Sequence, residues 1–278
     1  MTTHTLHRGT APLLISLPHD GSHIPPDIAE RMTPRAQRSI DTDWHVGRLY
    51  ESLAHQLGAS VIKPVASRYV VDLNRPADGH ALYPGRKETG LVSTIGFDGE
   101  PLYLEGAEPD EKEIQRRVND FWQPYHQALA QEVARLRHEH GRLVLWEGHS
   151  IRSHVPMLFD GQLPDFNLGT AEGASCGAAL QQRLEACLKA QSRYSFVVNG
   201  RFKGGYITRQ FGRPQDGVEA VQLELAQLNY MDEDSLAYDE EKAVQTQALI
   251  LQLLQCCIVE AQENANQDPP FGKSMTPL

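Results

Sequence analysis

Short apolar runs punctuated by Gly and Pro alternate with long segments whose apolar residues recur every three or four positions. This alternation restricts the fold more than any other feature of the chain. Pro12–Leu17 reads as a buried strand running into the turn Pro18-His19-Asp20-Gly21. After Asp43, the residues Val46, Leu49, Tyr50, Leu53, Ala54 and Leu57 fall at helical spacing, and Gly58 closes the helix. Ser60–Lys63 and Tyr69–Leu73 follow as strands. A helix over about 110–140 places Ile114, Val118, Phe121, Tyr125, Leu129, Val133 and Leu136 on one face, with a bend expected at Pro124 and an end at Gly141. Arg142–Trp146 is a short strand leading to Gly148-His149-Ser150. A helix near 176–191, strands at 194–198 and 219–225, and a closing helix over about 239–263 complete the pattern. The expected fold class is α/β, three layers with a mixed sheet between helices. We expect one domain with its core over about 12–263 and loose ends at 1–11 and 264–278. The Gly- and Pro-rich stretches 76–109 and 199–217 read as lids or binding loops.

Composition excludes several function classes. Lys+Arg 26 against Asp+Glu 36 gives a net charge of −10, and no basic block interrupts it. Such a chain is ill suited to nucleic acid. No run reads as a membrane span of roughly 18 apolar residues, and Ala11–Leu17 is too short for a signal peptide. The four cysteines (Cys176, Cys187, Cys256 and Cys257) form no CxxC and read as free thiols. The expectation is a soluble, cytoplasmic protein whose partner is a small molecule.

Ligands in sheets of this class collect at the carboxyl ends of strands. His19 and His149 stand just past two expected strand ends, and Glu224 lies at the end of a third. Twelve histidines are present and none lies beyond His154, so a metal site using the C-terminal part needs a carboxylate from there. Catalytic zinc commonly takes three protein ligands and leaves one position open. His19, His149 and Asp43 form the candidate set, with Asp41 as the alternative to Asp43 and His23, His45 and His154 in reserve. An N-cap at the following helix accounts for Asp43 equally well. Alternation places Gln222 and Glu224 on one side of their strand. There Glu224 is either a general base beside a metal or one half of a salt bridge with an Arg. Arginines in Ser67-Arg68-Tyr69, Asn74-Arg75-Pro76 and the Asn199–Arg209 run suit a small dicarboxylate, since Arg grips carboxylates bidentately. No G-x-S-x-G elbow is present.

These segments together resemble the N-formylglutamate amidohydrolase family, over about Pro12 to Met231. The motifs are Pro18-His19-Asp20-Gly21, Asp41-Thr42-Asp43-Trp44, Ser67-Arg68-Tyr69 through Asn74-Arg75-Pro76, Gly148-His149-Ser150-Ile151-Arg152, Phe159-Asp160-Gly161, Leu163-Pro164-Asp165-Phe166-Asn167, the Asn199–Arg209 run and Val221-Gln222-Leu223-Glu224-Leu225. The resemblance implies a zinc-peptidase-like (carboxypeptidase-like) fold and hydrolysis of N-formyl-L-glutamate to formate and L-glutamate, a late step of histidine breakdown. Related acylases carry a His-x-x-Glu ligand pair, whereas His19-Asp20-Gly21-Ser22 ends in serine. The third ligand then comes from elsewhere, and peptidoglycan amidases of similar fold favour Asp43, which opens the next helix. Asp72-Leu73-Asn74-Arg75 resembles the carboxylate clamp of aspartoacylase-like enzymes. The implied cofactor is Zn²⁺ or another divalent metal. The implied roles are Glu224 as base, Asn74 and Arg75 as clamp, and Arg68 or Arg209 for the second carboxylate or the oxyanion.

Overall fold

The coordinates are a computed structural model describing residues 2–82, 85 and 88–267. Its strands are β1 (His4–His7), β2 (Leu13–Ser16), β3 (Ser60–Pro64), β4 (Leu143–Ile151), β5 (Phe166–Gly169), β6 (Phe196–Val198) and β7 (Val218–Ala226). They form one sheet in the order β1-β3-β2-β4-β7-β5-β6. The central strands β3, β2, β4 and β7 run parallel, while β1 pairs antiparallel with β3 and β5 antiparallel with β7. The helices are α1 (Pro26–Ala29), α2 (Val46–Leu57), α3 (Glu111–Arg117), α4 (Gln123–His140), α5 (Ala178–Lys189), α6 (Tyr206–Phe211) and α7 (Glu240–Gln267).

The strands face two cores, because successive side chains point to opposite sides. Leu13, Ile15, Val144, Trp146, Val221 and Leu223 pack under α2, α5 and α7. Leu14, Ile62, Leu143, Leu145 and Ala220 meet Tyr125, Leu129 and Leu136 of α4 and Ile207 of α6. The result is the expected mixed-sheet, three-layer α/β arrangement. Parity then fixes the chemistry. Glu147 and His149 share the face of Leu145, and Gln222 and Glu224 share that of Ala220, so all four stand on the α4/α6 side at the carboxyl ends of β4 and β7.

Several local expectations change. Residues 4–7 are an edge strand rather than part of a loose end; His4 and Leu6 face inward and only Leu6 is apolar, so no apolar alternation marks it. The C-terminal helix continues to Gln267, and 268–278 lie outside the described residues. Tyr69–Leu73 forms turns rather than a strand. Its apolar residues are divided between a small core with Ile28, Met32 and Leu102 and the α4 core, so burial, not strand pairing, explains their run. β4 runs on to Ile151, which places His149 inside the strand and not past its end. A strand, β5, and a helix, α6, occupy stretches where none was expected. The interruption at Pro124 takes the form of a π-helical turn over Val118–Trp122. α7 is also apolar and long enough to span a membrane by composition, contrary to the sequence reading. Ile250, Leu253, Leu254 and Cys257 on its inner face are fully buried in the first core.

His126 of α4 is buried, and its Nε2 lies 2.8 Å from the Leu73 carbonyl oxygen. Burial pushes its pKa down to about 4 from 6.5. The folded state therefore keeps this ring neutral where the unfolded chain protonates it, and stability is lost as pH falls from 6.5 toward 4. We expect wild-type thermal melts to lose about 3 kcal/mol more stability over that window than those of His126→Gln.

Candidate active site

The turn after β2 brings His19 to the sheet edge, and β4 carries His149 beside it, with ring centroids 4.8 Å apart. Asp43 enters between them. Its Oδ2 lies 3.0 Å from His149 Nδ1 and 3.7 Å from His19 Nδ1. One ligand atom from each of the three residues lies within 4.8 Å of the others, and all three side chains are buried. The N-cap explanation for Asp43 fails on geometry. Residue His45 occupies the cap position of α2, and the Gly47 N–H is met by Asp20 Oδ1 at 2.6 Å. Asp43 instead accepts the Ser150 N–H at 3.1 Å.

Each imidazole is held from its far side by a second carboxylate. His19 Nε2 donates to Asp72 Oδ1 at 2.7 Å, and His149 Nε2 donates to Glu147 Oε1 at 2.8 Å. Such partners fix the tautomer and turn Nδ1 inward. His19 Nδ1, which faces Asp43 Oδ2, is buried without a hydrogen-bond partner. A buried polar atom without a partner is costly, and one aimed into a His₂Asp set fits a divalent cation of the zinc type. Burial, aided by Arg68, pushes the His19 ring below its ordinary value, so it is neutral and able to ligate. For Asp43, burial is outweighed by the His149 hydrogen bond and by the His149 and Arg68 charges, which keep it ionised. His149 is the reverse case: burial opposes its charged form, but Asp43 and Glu147 hold it well above the ordinary value.

A cleft opens over these residues, lined among others by Arg68, Arg75, Arg201, Phe97 and Glu224. Glu224 stands directly across from His149 in the β4–β7 register. Burial pushes its carboxyl up to about 8, and Gln222 Nε2 donates to it at 3.3 Å. Arg68 Nη2 donates to Asp72 Oδ2 at 2.8 Å, and its Nη1 lies 3.6 Å from Asp43 Oδ1. Arg75 reaches the cleft while its Nε donates to the Thr89 carbonyl at 2.8 Å. Asn74 also lines the cleft, yet its carboxamide is engaged: Oδ1 accepts the Ile207 N–H at 3.0 Å and Nδ2 lies 3.1 Å from His149 Nε2.

Other expected residues fall elsewhere. Arg209 is exposed on α6 and does not line the cleft, because α6 turns it outward; Arg201 of the same run lies in the wall instead. Asp41 accepts the Phe97 N–H at 2.8 Å and stays outside the His₂Asp group. His23 and His154 are exposed, and His45 Nε2 donates to the Leu236 carbonyl at 2.8 Å.

The profile of the family described as N-formylglutamate amidohydrolase matches residues 11–231. The chain belongs to the N-formylglutamate amidohydrolase family. N-formylglutamate deformylase of Pseudomonas aeruginosa is 52% identical over 257 residues, 92% of this chain and 96% of that protein. The Pseudomonas putida enzyme of the same name is 47% identical over 260 residues, 93% and 97% of the two chains. Among solved structures, N-formylglutamate amidohydrolase from Ralstonia eutropha JMP134 aligns with a TM-score of 0.77 at 25% identity, covering 96% of this chain and 99% of that one.

Two residues of this amidohydrolase site, Asp72 and Glu147, escaped the sequence reading. Glu147 had a signal, since it lies two residues before His149 on the same strand face. Asp72 stood within the clamp-like Asp72-Leu73-Asn74-Arg75 string, but the strand expected there gave no reason to aim it at His19. Gly148 is demanded by packing: a Cβ there would stand 2.7 Å from Leu17 Cδ2 and 3.1 Å from the Tyr50 ring. We expect Gly148→Ala to lower stability by about 1–3 kcal/mol in denaturant titrations, and to disturb metal uptake through its neighbour His149.

Proposed function

We propose that this protein is a metal-dependent N-formylglutamate deformylase, releasing formate and L-glutamate, with zinc as its metal or another divalent ion in its place. The observation that carries the metal is the inward convergence of His19 Nδ1, Asp43 and His149 Nδ1, with His19 Nδ1 buried without a hydrogen-bond partner. The names of the Pseudomonas relatives support the substrate. His19, Asp43 and His149 would hold the ion. The chemistry it supplies there is Lewis acidity toward the formyl carbonyl and a water pKa lowered toward about 7.

The chain's own groups do the rest. Glu224 takes a proton from the attacking water at its carboxylate and returns it to the departing glutamate nitrogen. Its burial suits this double task, since a carboxyl raised to about 8 is near the point where it both accepts and gives a proton at neutral pH. Arg75 and Arg201 hold the substrate carboxylates from the cleft wall, while Asn74, whose Oδ1 accepts the Ile207 N–H, ties the 72–75 turns to α6. Arg68, held by Asp72 and Asp43, faces the developing oxyanion. Four free thiols support a reducing, cytoplasmic setting, in keeping with a place in histidine breakdown.

Glu224→Gln should lower kcat by about 10²–10⁴ with metal content retained. Near-normal turnover would remove Glu224 from the base role. Chelation should abolish formate release from N-formylglutamate, and zinc should restore it; acetyl- and formimino-glutamate run beside it test the acyl group. A cation at His149 Nδ1 must displace the proton that Asp43 and Glu147 favour there. Zinc uptake by the apoprotein, followed by competition with a chromophoric chelator, should therefore weaken as pH falls. Full formate release from protein stripped of metal would contradict the metal assignment.

A further inference from the structure

The segment 69–75 carries Asp72, Asn74 and Arg75, yet it is irregular, and strand pairing does not hold its carbonyls. Side chains from one helix do so instead. Arg117 Nη1 donates to the Val70 carbonyl at 3.1 Å and to that of Tyr69 at 3.5 Å. His126 Nε2 donates to the Leu73 carbonyl at 2.8 Å, and Trp122 Nε1 to the Arg75 carbonyl at 2.9 Å. Arg117 is fully buried and fixed by the Tyr103 hydroxyl at 2.8 Å, and Trp122 stacks on His126 with centroids 3.8 Å apart.

The spacing of the three donors explains the π turn. From Arg117 to Trp122 is five residues and from Trp122 to His126 is four. In a regular α-helix five residues turn through about 500°, leaving Trp122 about 140° away from Arg117 around the axis. The turn over Val118–Trp122 has the Gln123 N–H bonded to the Val118 carbonyl, five residues back. That extra residue brings position 122 round to the face of 117, and ordinary helical spacing then adds 126. Pro124 has no N–H to give the carbonyl of Asp120, so the α-helical ladder cannot continue through this point.

We infer that the π turn at Val118–Trp122 is a positioning device for the substrate clamp: it sets Arg117, Trp122 and His126 on one helix face to hold the backbone of 69–75, and Trp122 is the positioning residue that places Arg75 at the cleft wall. The inference rests on the deformylase reading for the identity of what Arg75 binds. The helix clamp itself rests on the hydrogen bonds alone.

Trp122→Phe removes the donor to Arg75 and keeps an aromatic ring over His126. Val133→Ala, about two turns further along α4 in the same core, is the control for general loosening. Two readouts are compared in the intact, metal-loaded protein. In hydrogen exchange, the Asp72 N–H, bonded to the Leu91 carbonyl at 2.7 Å, and the Arg75 N–H, bonded to the Asp72 carbonyl at 3.2 Å, should exchange faster in Trp122→Phe and not in Val133→Ala. In kinetics with N-formylglutamate, Trp122→Phe should raise KM roughly fivefold with kcat within about twofold, and Val133→Ala should move neither. Unchanged exchange at these amides, or a KM that matches wild type, overturns the inference. A loss confined to kcat also overturns it, since that would place the effect on the metal shell rather than on Arg75. If the exchange result holds but wild-type protein releases no formate, the clamp stands and the deformylase reading fails. If formate is released and neither readout moves, the reading stands and the clamp fails.

Discussion

Asp43 lies between two imidazoles with only 1% of its surface exposed. Taking an ionised carboxylate out of water costs several kcal/mol unless neighbouring groups compensate. Here the compensation comes from the Ser150 amide, the two histidines and the nearby Arg68 guanidinium. The histidines bring buried carboxylates of their own, and these need partners in turn. Asp72 accepts the Asn74 N–H at 2.8 Å and pairs with Arg68. Glu147 accepts the Thr208 N–H at 3.0 Å and the Thr208 hydroxyl. One buried charge thus dictates the placement of the 68–75 turns on one side and of α6 on the other, and the segments carrying Arg75 and Arg201 are fixed as a consequence.

The cleft brings both signs of charge together, with Glu88 and Glu224 beside its arginines. The protein carries a net charge of −10, yet three arginines line the pocket. Arg68 is largely balanced by Asp43 and Asp72, so its charge stabilises the site itself. Arg75 lies 3.9 Å from Glu88, which lines the same cleft, so its charge too is shared with an acid. Repulsion from distant surface acids is screened within about 8–10 Å, so the groups lining the cleft set its local field.

Much of this was readable because two simple periodicities carried it. Residues two apart on a strand share a face, which put Gln222 and Glu224 together and pointed away from the apolar Val221, Leu223 and Leu225. The positions of His19 and His149 near strand ends made their meeting an expectation before any coordinates. Glu147 apart, what escaped had no periodic signature. Asp72 sits in turns whose apolar neighbours imitate a strand, and β1 has a single inward apolar residue. Arg201 and Arg209 are equivalent in composition; only the start of α6 between them decides which faces the cleft. The π turn left a trace in Pro124, but its register needed the partners of Trp122 and His126 to make sense.

The central claim is that His19, Asp43 and His149 enclose one metal ion. Anomalous diffraction from crystals of the native protein, collected on either side of the zinc edge, tests it most directly. The expected result is a single strong peak bounded by His19 Nδ1, the Asp43 carboxylate and His149 Nδ1, absent below the edge when zinc is the ion or shifted to another metal's edge when it is not. Crystals of fully active protein with no anomalous scatterer at that position would contradict the account.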